Sequence, residues 1–73
     1  MDMYTELVCY RFELTRILLN KKNISKETFI KVKKALLDIE EMRYKLKNET
    51  NFDCVRQADE IKQFILSTKK VGR

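Results

Sequence analysis

The sequence has no histidine, no proline and no tryptophan, a single glycine at Gly72, and two cysteines, Cys9 and Cys54. Each absence removes a class of answer. Without histidine, and with the cysteines far apart and outside any CxxC spacing, too few soft ligands remain for a zinc site. With Gly72 alone there is no glycine-rich loop to cradle a phosphate. No serine or cysteine has a base at recognisable spacing, so the sequence predicts neither an enzyme nor a cofactor. The adjacent Glu40 and Glu41 diverge in direction on a helix and read as a solvated face, not a catalytic pair.

Proline and internal glycine are the residues that break helices, and with neither present and 37% of residues charged, little besides helix is available to the chain. No apolar run approaches the ~20 residues that span a bilayer. No secretory leader is visible. The expectation is a soluble cytoplasmic chain, with no membrane partner and with Cys9 and Cys54 as free thiols instead of a disulfide.

What is present is periodicity. Val32, Ala35, Ile39, Met42 and Leu46 fall at alternating steps of three and four, which is the seam of a helix packed along another helix. Met3, Leu7, Tyr10, Leu14 and Ile17 repeat the same alternation. Two seams of equal length joined by a short connection at residues 21–24 predict an antiparallel hairpin. Helices are expected over about 2–20, 25–48 and 51–68, within a single helical domain spanning residues 1–68. Asp2 and Glu6 suit the dipole at the first start. Ser25 caps the second helix, with Ile24 and Phe29 spaced as a hydrophobic staple. Thr50 and Asp53 have capping-box spacing and would open the third, whose thinner stripe is Cys54, Ala58, Ile61, Ile65 and Thr68, extended by Phe64. Residues 69–73 lack periodicity and read as a frayed basic tail. The fold class is all-α: a small three-helix bundle, expected to be dimeric because 73 residues bury little core.

A second apolar set is left over. On a helical wheel Val8, Phe12 and Leu19 lie roughly opposite the first seam, with Tyr4 beside them. Ile30, Leu37 and Tyr44 repeat at every seventh residue on a strip apart from the second seam. The third helix is expected to bury at least one strip, and a strip left exposed marks an interface. The candidate protein-interface residues are therefore Tyr4, Val8, Phe12, Leu19, Ile30, Leu37 and Tyr44, serving another protein or a second copy as homodimer.

The net charge of +5 opens a rival reading. Lys21, Lys22 and Lys26 at the first turn, with Lys69, Lys70 and Arg73 in the tail, are candidate phosphate contacts for a small nucleic-acid-associated regulator. Asp38 and Glu41 interrupt the basic face of the second helix, and no helix-turn-helix signature accompanies it. The leading expectation is a non-catalytic protein-binding module, an adaptor, chaperone or small inhibitor. A subunit of a helical homo-oligomer is a further alternative.

In outline the hairpin resembles the small sporulation-type aspartyl-phosphate phosphatases. Aligning their Ser-Gln-x-x-Leu-Asp motif puts Lys33 and Lys34 at Ser-Gln and Leu36 and Leu37 at Leu-Asp, so the polar residues of that activity are missing. Cys9-Tyr10-Arg11 is similar to the Leu-Tyr-Arg signature of a family of helical mitochondrial assembly factors, whose downstream phenylalanine is not evident. Neither resemblance assigns a family.

Overall fold

A computed structural model describes residues 2–20 and 24–71, which form three helices: α1 (Met3–Leu19), α2 (Lys26–Asn48) and α3 (Val55–Val71). No strand occurs among the described residues. The first two starts are capped. Asp2 Oδ1 accepts from the Thr5 N–H at 2.8 Å, and Ser25 Oγ accepts from the Thr28 N–H at 3.1 Å. Asp2 is thus the cap itself, outside the first turn, and its carboxyl pKa lies below the usual value because it takes that backbone hydrogen bond.

The seams close on one another. Leu7, Leu14, Val32, Ala35, Ile39 and Met42 are buried, and Met3, Tyr10, Ile17 and Leu46 pack against them. Arg43 meets Tyr4 and Arg11 meets Glu40, so numbers rise along α1 as they fall along α2, as in an antiparallel pair. α3 returns beside α1, where Lys69 Nζ stands 3.4 Å from Glu13 Oε1. It contributes Ala58, Ile61 and Ile65 to the same core, to which Cys54, just before the helix, also belongs. These packed helices make a small bundle with extents of 40 × 18 × 16 Å.

α3 departs from its expected limits at both ends. It starts at Val55, not at residue 51, and Thr50 does not cap it. Asp53 Oδ1 accepts from the Val55 N–H at 3.0 Å, and the first helical hydrogen bond runs from Ala58 N–H to the Cys54 carbonyl at 2.8 Å. Burial overrides the capping signal here. Phe52 packs on the core with the Lys45 ammonium 5.5 Å from the centre of its ring, and Cys54 is buried, so residues 52–54 stay outside the helix and both side chains turn inward before it begins. At the other end the helix continues through Val71, past the point where fraying was expected. Nothing before Gly72 breaks a helix, and Lys69 is tied to Glu13.

Both cysteines are free, Cys9 exposed and Cys54 buried. Burial, with Asp53 beside it, pushes the Cys54 thiol above its ordinary pKa. A thiol-reactive dye will therefore modify Cys9 in the native protein. It should reach Cys54 at least roughly a hundredfold more slowly, because that site opens only with local unfolding. Equal rates in native buffer would contradict the packing of the α2–α3 connection.

Candidate protein-docking faces

α1 and α2 turn their seams inward, and geometry then fixes what their backs present. In a helix with 3.6 residues per turn, positions half a turn from the seam face solvent unless another element covers them. On α1 these are Phe12 and Leu19, exposed to 65% and 79%; on α2 they are Ile30, Leu37 and Tyr44, at 57%, 71% and 68%. The expectation that α3 buries one strip is not met. α3 docks onto the continuation of the seams, through Ile61 and Ile65, and covers neither strip. The reason is its composition: its own apolar stripe is narrow, and it is spent on the shared core.

The remaining candidates occupy different surroundings. Val8 is half-buried. Tyr4, 39% exposed, is held beneath Arg43, whose guanidinium carbon lies 5.2 Å from the ring centroid and whose Nη2 donates to the Tyr4 hydroxyl at 3.1 Å. That hydrogen bond raises the Arg43 pKa above its ordinary value. Glu40 Oε2 then accepts from Arg43 Nη1 at 3.3 Å and forms an ion pair with Arg11, whose Nε lies 3.2 Å away. Tyr4, Arg43, Glu40 and Arg11 form a polar clasp across the outer edge of the hairpin. Arg43 Nε is buried with no hydrogen-bond partner.

Sequence reasoning missed this clasp. Glu40 and Arg43 are three residues apart on one face of α2, but Arg11 and Tyr4 arrive from another helix, which no spacing within α2 can signal. Two further exposed apolar side chains, Val55 at 61% and Leu66 at 40%, were not singled out either, since both lie on α3 away from its stripe.

Of the candidate phosphate contacts, Lys26 is exposed at the start of α2 and Lys69 is exposed beside Glu13. Lys21, Lys22 and Arg73, and the side chain of Lys70, lie outside the described residues. An open groove of about 870 Å3 runs between the ends of the helices, with Arg16, Lys31 and Lys69 on its rim and Ile17, Ile24 and Phe64 among its lining. Glu13 reaches both Arg16, at 3.7 Å, and Lys69, which offsets part of that positive charge. Among the described residues, no group of three or more His, Cys, Asp or Glu side chains could hold a metal ion. No helix there is long and apolar enough to cross a membrane.

No protein-family model, curated protein or solved structure matches this chain.

Proposed function

We propose that this chain is a non-catalytic protein-binding module, an adaptor, chaperone or small regulatory inhibitor, that engages its partner through the backs of α1 and α2. One observation carries the reading: Phe12, Leu19, Ile30, Leu37 and Tyr44 all remain more than half exposed after the third helix has docked. Exposed apolar strips of this extent on a small protein are usually completed by another chain. Around them stand Lys33, Lys34, Arg11 and Glu40, giving the polar rim that an interface core requires.

The test is capture by the tagged chain from extract of its own cells, after nuclease treatment and at high salt. A stoichiometric protein retained by the wild type should be lost by Phe12→Asp or Leu37→Asp while helicity by circular dichroism is unchanged, since both side chains are exposed. Retention by both variants sinks the proposed faces. The same experiment weighs a second reading, a small nucleic-acid-associated regulator, which draws on the gathering of Arg16, Lys31 and Lys69 around one groove. In that case nuclease or salt strips the captured material, because phosphate contacts weaken steeply with ionic strength.

A further inference from the structure

The strip on α2 is symmetric about Leu37. Ile30 precedes it by seven residues and Tyr44 follows it by seven, so the three lie in a nearly straight row about 21 Å long. Its flanks carry charges in a mirrored order. Lys33 and Lys34 stand four and three residues before Leu37; Glu40 and Glu41 stand three and four after it. On the helical wheel Lys33 and Glu40 share one flank of the row, while Lys34 and Glu41 share the other.

An identical helix laid antiparallel along this row, with the two-fold axis at Leu37, brings opposite charges together on both flanks. Lys33 faces Glu40 of the second copy on one side, and Lys34 faces Glu41 on the other; symmetry repeats each pair. Ile30 packs on Tyr44 and Leu37 on its own equivalent. Four charge contacts and three apolar layers are thus satisfied by one operation. Only the outermost facing pair, Lys26 with Lys47 of the second copy, is of like sign, and it lies in solvent about 15 Å from the axis.

Lys34 and Glu41 can exchange partners to make these contacts, whereas Glu40, already paired with Arg11 and Arg43, takes Lys33 as an additional neighbour. Lys34 and Glu41 have side chains 77% and 67% exposed, and their present partners, Asp38 at 3.2 Å and Lys45 at 3.6 Å, are surface neighbours one turn away. Exchanging one such exposed pair for another costs little.

We infer that the outer face of α2 is covered by a second copy of this chain, docked antiparallel about a two-fold axis at Leu37 and held in register by Lys33–Glu40 and Lys34–Glu41 contacts. The inference rests on the reading of the exposed strips as protein-docking faces and gives the α2 strip its occupant; the strip of Phe12 and Leu19 stays open for a different partner.

The experiment is sedimentation equilibrium of the full chain over a range of concentrations. Wild type should be dimeric. Leu37→Asp should be monomeric with unchanged helicity. Lys34→Glu and Glu41→Lys each set like charges against one another twice, and each should weaken self-association about tenfold. Mixed in equal amounts, these two variants should form a heterodimer of wild-type strength. The carboxylate introduced in one chain then meets the ammonium introduced in the other, while the unaltered Glu41 and Lys34 pair at the second contact. The double variant K34E/E41K should recover the homodimer, which keeps the test informative if either single variant folds poorly. A wild type that stays monomeric up to about 0.5 mM overturns the inference and leaves the capture experiment to judge the docking faces by itself. Dimers that persist in Leu37→Asp, or a mixture no tighter than its components, overturn the proposed face and register.

Discussion

Ile39→Ala is expected to lower the free energy of unfolding by about 2–5 kcal/mol, measured by urea denaturation at fixed protein concentration. Ile39 is completely buried at the centre of the α2 seam and is among the largest side chains in the core. Truncation removes transfer energy and leaves a cavity that three short helices must either collapse around or tolerate. A core of this size supplies only about 3–5 kcal/mol in total, so the variant should be largely unfolded at room temperature. Leu37→Ala, two residues along the same helix and 71% exposed, is the control. It should cost only tenths of a kcal/mol in the isolated chain. Equal losses at the two positions would mean that the packed and solvent faces of α2 are misassigned.

The second large effect concerns how α3 is held. Its buried residues are Ala58, Ile61 and Ile65, with the half-buried Phe64 beside them, and only the two isoleucines are both large and buried. Placing a carboxylate at Ile65, 4% exposed, would bury a charge with no cation assigned to meet it, at a cost of several kcal/mol. Ile65→Asp should therefore undock α3. Because α3 closes the core shared with Leu7 and Leu14, loss of docking should abolish the cooperative thermal transition of the whole chain instead of melting one helix. Leu66→Asp, on the adjacent and 40% exposed position, should melt within a few degrees of wild type. A cooperative transition retained by Ile65→Asp would show that the α1–α2 hairpin is stable by itself.

These two experiments separate what periodicity can convey from what it cannot. The α1 and α2 seams were legible residue by residue, because a stripe repeating at three and four has one way to be buried and no glycine or proline interrupts it. Ser25 was legible for the same local reason: its hydroxyl needs only the N–H groups of the next turn, which its own sequence supplies. The start of α3 was not. Thr50 and Asp53 offered a local cap, but Phe52 and Cys54 gain more by entering the core than the chain gains from four extra helical residues. That comparison involves partners on other helices.

The candidate faces divide in the same way. That Phe12, Leu19, Ile30, Leu37 and Tyr44 lie off the seams was fixed by spacing alone, since the direction of a side chain on a helix follows from its number. Whether they would be covered was decided only when α3 chose its place, and it docked on the seams because its few large side chains could not serve both the core and a strip. The mirrored Lys33, Lys34, Glu40 and Glu41 about Leu37 are likewise written in the sequence, yet they acquire meaning only once that row is known to face outward. The clasp of Tyr4, Arg43, Glu40 and Arg11 belongs wholly to the tertiary structure. Its members come from two helices, and the register that brings Arg11 within reach of Glu40 is set by the packing of Leu7, Leu14, Val32 and Ile39 beneath them. Local spacing determines which residues a helix turns together; packing determines which of those faces another chain can still reach.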